Sequence, residues 1–209
     1  MLSRLRQALE QAVAEQVLVS PTPSVVDLGC GDRPYQPIFA ARGASYIGAD
    51  LAPNRRADVF IDESGRTPLG DGCADIVLST QVLEHVASPT QYLQECARLL
   101  QPAGVLLVTT HGYWAYHPSP SDLWRWTGEG LALLLRQSGF EVQKLTGILG
   151  TGAAALQLLQ DATLPLLPRL ARRLVTPVFQ TGMWMLDRTS TAEQRVHDAL
   201  VYLAVAIKK

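Results

Sequence analysis

The feature that most limits the fold is a regular alternation of short apolar segments with segments of helical character. The apolar segments predict strands at 25–28, 45–49, 59–61, 75–79, 105–109 and 140–145. Their spacing is typical of units in which a helix follows a strand, and such units build a parallel sheet covered by helices on both faces. In a sheet of this kind, ligands bind beyond the carboxyl ends of the strands.

Start and stop signals delimit the helices. Segment 89–100 begins with a proline in its first turn, and Thr127 caps a second helix over 128–137. An N-terminal helix over 2–18 ends at the proline-containing segment 20–23. We expect this helix to pack on its own sheet through its apolar face, which consists of Leu2, Leu5, Leu9, Ala12, Val13 and Val17.

The chain changes character after residue 146. Segments 147–160 and 164–186 read as apolar helices or helix fragments, and a β-rich strand follows at 201–207. We therefore expect an amphipathic helix over 1–23 and one domain over 24–209, with a helical insertion at about 147–195. The insertion is expected to be interrupted by Pro165, Pro168 and Pro177.

Composition bounds the class of protein. The chain has 209 residues, of which 47% are hydrophobic and 18% charged, so it can bury the core of one domain. A net charge of −1 argues against a general nucleic-acid binder, which would carry a basic surplus. We therefore expect no nucleic-acid partner.

Cysteines and the N-terminal charges suggest a reducing compartment. The three cysteines are far apart in the sequence, so we predict neither a disulfide framework nor a zinc site, and we expect small buried side chains at Cys30, Cys73 and Cys96. Charged residues interrupt any apolar leader-like stretch near the N-terminus. The expected location is cytoplasmic, with peripheral contact at the inner membrane face left open.

The loop after the first strand carries the strongest local signal. Gly29 and Gly31 let a backbone approach a ligand closely, and a helix following the loop would offer free N–H groups. Asp50 ends the next strand, roughly 20 residues downstream, where an acid accepts the hydroxyls of a ribose. Pro34 stands where a dinucleotide site needs a third glycine, which disfavours a nicotinamide enzyme. An ordinary strand-to-helix turn remains an alternative for the two glycines.

Five segments together resemble the class I S-adenosylmethionine-dependent methyltransferases, in the small-molecule branch of that family. The resemblance covers about residues 24–145 and the final strand, and the segments are VVDLGCGDRPY, YIGAD, DVFIDE, ADIVLSTQVLEHVASPTQYLQECARLLQPAGVLLVTTHG and HPSPSDLWRWT. The last segment looks like a subgroup found beside bacterial cell-surface polysaccharide genes. The resemblance implies an α/β, Rossmann-like three-layer sandwich with a mostly parallel seven-stranded sheet, an antiparallel last strand and a helical insertion before it.

The resemblance also implies a role for each matching residue in S-adenosylmethionine binding. The implied residues are Asp27, Gly29, Cys30, Gly31, Asp50, Leu51, Asp62, Gln81 and Val82. Asp27, the glycine loop and the Gln81–Val82 pair would line the methionine part. Asp50 would bind the ribose, with Leu51 near the adenine and Asp62 facing its amino group. One departure is visible, since the usual third glycine of the loop is Arg33.

The segment after the fifth strand would hold the methyl acceptor. We predict a general base at His117, then His111 or Asp122, since histidine has a suitable pKa near neutrality. Substrate-binding candidates are Tyr113, Trp114, Tyr116, Trp124 and Arg125. The alternative is a structural lid, with Trp124 and Trp126 in the core and Arg125 paired to an acid. Glu84 and His85 are expected to begin a helix and to order the neighbouring loops.

We therefore predict methyl transfer from S-adenosylmethionine to a small-molecule or glycan acceptor. A lipid-linked acceptor is included among these, and no metal ion is expected. A non-catalytic cofactor-binding or partner subunit of the same fold is the alternative. Helix 164–186 combines large apolar residues with Arg169, Arg172 and Arg173, so it could lie in a membrane interface. A cover over the acceptor pocket or a homodimer contact are the competing readings of this helix.

Overall fold

The computed structural model describes residues 2–16 and 22–209. Its strands are β1 (Ser24–Leu28), β2 (Ser45–Leu51), β3 (Val59–Ile61), β4 (Ala74–Thr80), β5 (Leu100–His111), β6 (Phe140–Gly150) and β7 (Ala199–Lys208). Its helices are α1 (Leu2–Gln16), α2 (Gln36–Ala40), α3 (Pro89–Leu99), α4 (Gly128–Gln137), α5 (Thr151–Thr163), α6 (Arg169–Thr189) and α7 (Ala192–His197). A single 3-10 turn, Leu164–Leu166, joins α5 to α6.

The strands form one seven-stranded sheet in the order β3-β2-β1-β4-β5-β7-β6. The first five strands run parallel, whereas β7 lies antiparallel between β5 and β6. This arrangement confirms the predicted Rossmann-like sheet with an antiparallel last strand. The sheet order reverses between β1 and β4, and at such a switch point the strand ends leave a crevice for a ligand.

Helices cover both faces of the sheet, so its central strands are buried on both sides. Val25 and Val26 are neighbours in β1 that point to opposite faces, and each is only 1% exposed. On one face α1 contributes Leu5, Leu9 and Val13 to the core, as expected for a helix packed on its own sheet. The end of α1 predicted at 20–23, and Val17 of its apolar face, fall partly or wholly outside the described residues.

The region after residue 146 differs from the prediction at its start. Residues 147–150 belong to β6 instead of a helix, because they pair with β7 as far as Gly150. A Cβ on Gly147 would collide with the carbonyl oxygen of Arg195, which explains why the close packing of α7 on β6 needs a glycine. Pro165 and Pro168 separate α5 from α6 as predicted, but exposed Pro177 lies inside α6 without ending it.

A buried acid ties these C-terminal helices to the sheet and to α1. Asp187 of α6 is 3% exposed, and its Oδ1 accepts a hydrogen bond from the Gly150 amide at 3.2 Å. Arg4 of α1 reaches its Oδ2 at 2.8 Å, and Arg195 of α7 lies 3.7 Å from its Oδ1. The Asp187 carboxylate therefore joins three helices and one strand end. Elsewhere, Cys30 and Cys96 are buried as predicted, but Cys73 is exposed, which corrects that expectation.

Candidate active site

A cavity of about 780 Å³ opens at the carboxyl ends of the parallel strands, within the size range of small-molecule sites. Its lining combines the loops after β1, β2, β3, β4 and β5, which are separate in the sequence. Among the predicted residues, the structure brings together around it Gly29, Gly31, Asp50, Leu51, Asp62, Gln81, Val82, His111, Trp114 and His117. The topology of the sheet thus gathers most of the predicted site.

The glycine loop is built on a backbone that needs glycine. Gly29 has φ +89°, and a Cβ there would overlap the side chain of Val82, from the loop after β4. Gly31 has φ +50°, and its amide donates to Asp50 Oδ2 at 2.9 Å. The expected helix N-terminus does not follow directly, because α2 begins only at Gln36 and has five residues. The glycines, and not a helix end, therefore form this wall of the cavity.

Asp50 is held in position by three donors. Besides the Gly31 amide, its carboxylate accepts from the Asn54 side chain at 2.7 Å and from the Leu51 amide at 2.7 Å. Asn54 also donates to the Gly31 carbonyl at 3.0 Å, which joins the loops after β1 and β2. Sequence reasoning missed Asn54, although its place in the turn four residues after Asp50 was a usable signal. An ionised carboxylate still has acceptor capacity beyond these three bonds.

Arg33 shows how the loop accommodates the missing third glycine. The residue adopts φ 57°, a left-handed conformation that glycine enters without strain. Its guanidinium pairs with Asp58 at 2.7 Å and lies against Gly48, where a Cβ would approach Arg33 Nε to 2.9 Å. The Asp58 interaction raises the pKa of Arg33 and lowers that of Asp58. Arg33 therefore braces β2 from behind and does not line the cavity.

Two polar side chains at the rim keep free acceptor atoms. Asp62 accepts three bonds on Oδ1, from both Ser64 donors and from the Arg66 amide, and these bonds lower its pKa. Gln81 has φ 57° and donates its side-chain N–H to Thr109 Oγ1 at 3.0 Å. Gln81 Oε1 is buried and has no partner among the residues described here. This oxygen lies in the cavity wall and can accept a hydrogen bond from a ligand.

Asp27 and Cys30 lie behind the cavity instead of lining it, which corrects their direct role. Asp27 is fully buried and accepts a short hydrogen bond from the Tyr46 hydroxyl of β2. Burial raises the pKa of Asp27 to about 7, although the Tyr46 bond opposes the shift. The thiol of Cys30 is 2% exposed, and burial raises its pKa to about 11. Both side chains support the loop from below.

The opposite wall of the cavity is a cluster of imidazole and indole rings. His111 stacks on Trp114 with ring centroids 4.7 Å apart and an interplanar angle of 8°. His117 lies 6.3 Å from the His111 ring and 6.0 Å from the His85 ring. His111 is only 3% exposed, and burial lowers its pKa to about 3. This imidazole is therefore neutral at physiological pH, and its unprotonated nitrogen can accept a hydrogen bond.

Glu84 lies directly behind His111 and was not among the predicted site residues. Its carboxylate is fully buried, with Oε2 accepting from Thr110 Oγ1 at 2.8 Å and Oε1 at 3.3 Å from His111 Nδ1. Burial raises the pKa of Glu84 to about 7. Residues 84–85 form a turn rather than the expected helix start, since α3 begins at Pro89 after the cap at Ser88.

Backbone hydrogen bonds clasp the segment 121–124 to the turn after β4. The Glu84 carbonyl accepts from the Leu123 and Trp124 amides at 2.9 and 3.2 Å. Trp124 Nε1 donates to the Val86 carbonyl at 2.8 Å, and the Ser121 hydroxyl donates to the His85 carbonyl at 2.7 Å. Trp124 therefore fastens this segment from outside the cavity lining, which argues against the predicted substrate contact. It is 38% exposed, so the alternative that placed it in the core is wrong as well.

Asp122 and Arg125 form a pair with each other, which argues against their predicted roles. Asp122 is a poor base, because both its oxygens meet Arg125 at 2.6 Å, its side chain is 1% exposed, and the bond lowers its pKa. The Arg125 guanidinium also donates to three backbone carbonyls, those of Trp114, Ala115 and Trp124. It holds the segment 114–125 in shape, and no donor is left over for a substrate anion.

Tyr113 and Tyr116 likewise lie away from the cavity. Tyr113 donates its hydroxyl to Asp198 at 2.6 Å, so it faces the junction of α7 and β7. Tyr116 is 78% exposed, and neither residue lines the cavity. Of the predicted aromatic wall, Trp114 therefore lines the cavity and the other members do not.

The comparisons with known proteins agree with this geometry. A family model described as a methyltransferase domain matches residues 1–145, more than half of the chain. The chain is therefore a member of the methyltransferase domain family. Its class is that of the S-adenosylmethionine-dependent methyltransferases, so the predicted enzyme class and cofactor are confirmed.

Two relatives and one solved structure illustrate the similarity. A protein of Mycolicibacterium smegmatis, described as a "Probable S-adenosylmethionine-dependent methyltransferase", is 27% identical and is aligned over 88% of this chain and 81% of its own length. A ubiquinone biosynthesis O-methyltransferase of Cereibacter sphaeroides is 34% identical over 51% of each chain. The chain thus spans about half the length of the ubiquinone biosynthesis relatives it matches.

The solved structure is phosphoethanolamine N-methyltransferase 2 of Haemonchus contortus in complex with S-adenosyl-L-methionine. It has a TM-score of 0.59 at 15% identity and covers 96% of this chain and 52% of its own. At that identity the likeness concerns the fold alone. The residues of this chain nevertheless fit the cofactor, because the cavity wall offers a carboxylate at Asp50 and an unpartnered buried acceptor at Gln81 Oε1.

Proposed function

We propose that the cavity binds S-adenosylmethionine against the loops after β1, β2 and β3, and a hydroxyl-bearing small molecule against His111, Trp114 and His117. The single observation that carries this proposal is that the two sets of side chains line one continuous cavity. S-adenosylmethionine supplies an electrophilic methyl group on a sulfonium, which a nucleophile displaces in line. The protein's part is to align the acceptor, hold its proton and exclude water.

The cofactor half is assigned residue by residue. Asp50 accepts the ribose hydroxyls, with its orientation fixed by Asn54 and by the Gly31 amide. Gln81 Oε1 is the free buried acceptor for the ammonium of the methionine part. Leu51 packs near the adenine, and Asp62 uses its remaining oxygen for the adenine amino group. Each role joins a lining residue to an atom whose acceptor capacity the fold leaves unused.

The acceptor half favours a neutral hydroxyl. Trp114 offers an apolar face, and the neutral imidazole of His111 accepts a proton, while His117 lies close enough to contact the same molecule. Arg125 is committed to Asp122, so this wall lacks a free guanidinium for an anionic acceptor. The O-methyltransferase relatives of ubiquinone biosynthesis support oxygen as the acceptor atom.

The proposal is tested by calorimetry with S-adenosylhomocysteine and by turnover on acceptor probes. We expect micromolar binding of S-adenosylhomocysteine and its formation from S-adenosylmethionine with catechol, a flat, uncharged hydroxylated molecule. Methyl α-D-mannoside is the matched glycan probe, and turnover with it instead would reassign the acceptor to a sugar. Binding of NADH in place of S-adenosylhomocysteine would overturn the whole assignment.

We further propose that α6 rests on an anionic membrane surface at the cytoplasmic face, where a lipid-linked acceptor would be presented. Leu170, Leu174 and Val178 of α6 recur every four residues and are 72%, 70% and 69% exposed. Leu166, in the 3-10 turn before α6, is 81% exposed. Exposed Arg169, Arg172 and Arg173 flank this stripe and complement anionic headgroups. Within the described ranges, no helix is long and apolar enough to cross a bilayer. The proposed contact is therefore peripheral.

Vesicle sedimentation tests this surface. Vesicles containing phosphatidylglycerol should carry the protein down at low salt, and higher salt should weaken the binding because it screens the arginines. The double change Leu170→Glu with Leu174→Glu should abolish sedimentation, whereas Leu133→Glu, at an exposed leucine of α4, should not. Equal loss in both variants, or a concentration-dependent dimer that α6 mediates, would contradict membrane binding.

A further inference from the structure

Glu84 is a buried acid whose position the proposed function does not yet use. Its Oε2 is satisfied by Thr110, but its Oε1 is buried and lacks a hydrogen-bond partner among the described residues. His111 Nδ1 is buried in the same way, and the two atoms are 3.3 Å apart. Two unpaired polar atoms this close, in the wall of a binding cavity, require a proton between them, since an unmade buried bond is costly.

The ring of His111 cannot turn freely to find another partner. Its face is covered by Trp114 at a centroid distance of 4.7 Å. Its backbone is fixed as the last residue of β5, paired with Val201 of β7, and its carbonyl accepts from the Trp126 amide at 3.0 Å. Because Nδ1 of His111 faces Glu84, Nε2 is the ring nitrogen that can contact a ligand in the cavity.

We propose that Glu84 is a positioning residue: it accepts the Nδ1 proton of His111 and thereby holds the tautomer whose unprotonated Nε2 faces the methyl acceptor. This inference rests on the proposed function. In the transfer step, the acceptor oxygen forms its bond to the methyl carbon while its proton moves to Nε2. The carbon–sulfur bond breaks with its electron pair kept on sulfur, and the proton leaves the imidazolium for solvent afterwards.

The environment of Glu84 and His111 indicates that Glu84, and not His111, changes its protonation state near neutral pH. Burial lowers the pKa of His111 to about 3, with Arg125 as the next cause, so the ring itself does not titrate near neutrality. Burial raises the pKa of Glu84 to about 7. Above that value the carboxylate accepts from Nδ1; below it, the carboxylic acid donates to Nδ1 and places the ring proton on Nε2. The groups facing the pair are His85 from the turn after β4, and His117, Asp122 and Arg125 from the segment after β5.

A purely structural Glu84 makes a different prediction. In that case its only duty is the bond to Thr110, which glutamine would keep through its amide oxygen. A structural role therefore leaves the tautomer of His111 unchanged in Glu84→Gln. If Glu84 instead holds the Nδ1 proton, the glutamine keeps the bond to Thr110 but presents an amide N–H to His111 Nδ1, so Glu84→Gln should preserve the fold and reverse the tautomer.

The test is long-range nitrogen NMR on protein with labelled histidine and bound S-adenosylhomocysteine. The chain has four histidines, so His111→Gln assigns the signal. At pH 8 we expect His111 protonated on Nδ1 in the wild type and on Nε2 in Glu84→Gln. The matched control is Glu95→Gln, a 4% exposed glutamate of α3 bonded to Thr67 and Arg98, outside the cavity.

Two results would overturn the proposal. One is a wild-type His111 that carries its proton on Nε2 at pH 8. The other is an unchanged tautomer in a folded Glu84→Gln protein, with Glu84→Asp as the second variant if glutamine prevents folding. Because this readout needs no methyl acceptor, it fails or succeeds independently of the turnover assay.

A second readout applies once turnover is measured with catechol. The wild-type kcat should rise with pH around a midpoint near 7, the pKa of Glu84. Glu84→Gln should lose that limb and about 100-fold in kcat, which is within the usual contribution of a general base. A limb that persists in Glu84→Gln would contradict the role of Glu84.

Discussion

The two walls of the cavity are made in different ways. The cofactor wall consists of backbone turns at strand ends, with Gly29 and Gly31 in left-handed conformations and Asp50 bonded to the neighbouring amides. The acceptor wall consists of side chains held by other side chains, such as His111 between Trp114 and Glu84. The first depends on local chain geometry, and the second depends on contacts between loops distant in the sequence.

The two walls therefore tolerate different kinds of substitution. The cofactor wall fails when a Cβ is added at Gly29, because φ +89° strains any side chain there and the Cβ would meet Val82. A side-chain wall can be re-shaped by changing one contact, which is how one fold serves many acceptors. The helical insertion belongs with the second kind, because side chains fasten it: apolar ones such as Ala153 and Met183, and the buried carboxylate of Asp187. The strongest loss of stability is expected at Asp187.

Removing the Asp187 carboxylate should loosen the insertion most strongly. Asp187→Ala leaves the buried Gly150 amide without its acceptor and removes the ion pairs with the partly exposed Arg4 and Arg195, and we expect the loss of these charge-assisted contacts to cost about 3 kcal/mol. Urea unfolding measures the loss. Asp161→Ala, at an exposed acid of α5, is the control and should cost little. If S-adenosylhomocysteine affinity falls in the folded Asp187→Ala protein, the cofactor wall is not independent of the insertion.

The acceptor wall should carry a pH signature through Glu84. Its pKa in the folded protein is about 7, above the ordinary value of 4.5, so folding favours the protonated form. The stabilisation from this group is therefore complete below pH 4.5 and is lost as the pH rises toward 7. Relative to the wild type, Glu84→Gln should gain up to about 3 kcal/mol between pH 4.5 and 8. If the free energy of unfolding of Glu84→Gln differed from that of the wild type by the same amount at pH 4.5 and at pH 8, this prediction would be contradicted.

The cofactor wall should break at Gly29. Gly29→Ala forces a side chain into φ +89° and against Val82, so we expect about a 100-fold rise in the Kd for S-adenosylhomocysteine. Gly43→Ala is the matched control, since Gly43 also has a positive φ, +70°, but its Cβ would meet only Thr22 at 3.8 Å. Both variants should lose some stability, but only the first should lose affinity. Equal affinities would remove the glycine loop from the site.

Asp50→Ala should have the smallest effect of the four. Loss of charged hydrogen bonds to a ribose costs about 1.5–3 kcal/mol, which corresponds to an increase in Kd of at least about 10-fold. Calorimetry measures it, with Asp58→Asn as the control, because Asp58 is a nearby acid that pairs with Arg33 outside the cavity. A similar loss in Asp58→Asn would indicate that the effect is a general disturbance of β2.

The same difference explains what the sequence could predict. Gly29, Gly31 and Asp50 were predictable because strand ends and turns are encoded locally. The parallel part of the sheet followed from the strand–helix alternation, whereas the antiparallel last strand was implied by the family resemblance. Glu84 was missed because its partners, Thr110 and His111, lie in β5, more than 20 residues further along the chain. Asn54 was missed although Asp50, one of its partners, lies only four residues before it. Asp122 and Arg125 were given functional roles, although their spacing of three residues was a signal for the pair that the structure contains.

Residues 147–150 were predicted as helix for a related reason. Their apolar and small side chains do not distinguish a strand from a helix, and pairing with β7 decides between them. Tyr113 and Tyr116 were predicted at the site because aromatic residues near histidines are typical of acceptor pockets. Their side chains point away because the direction of each residue in a loop is set by contacts that composition does not encode.

A crystal structure with S-adenosylhomocysteine bound would show how the cavity holds the cofactor. We expect the ribose hydroxyls on the Asp50 carboxylate, the ammonium near Gln81 Oε1, and the sulfur directed toward the wall of His111 and Trp114. This expectation would be contradicted if the ribose contacted other residues, or if the sulfur faced away from His111 so that a bound acceptor could not lie between the two.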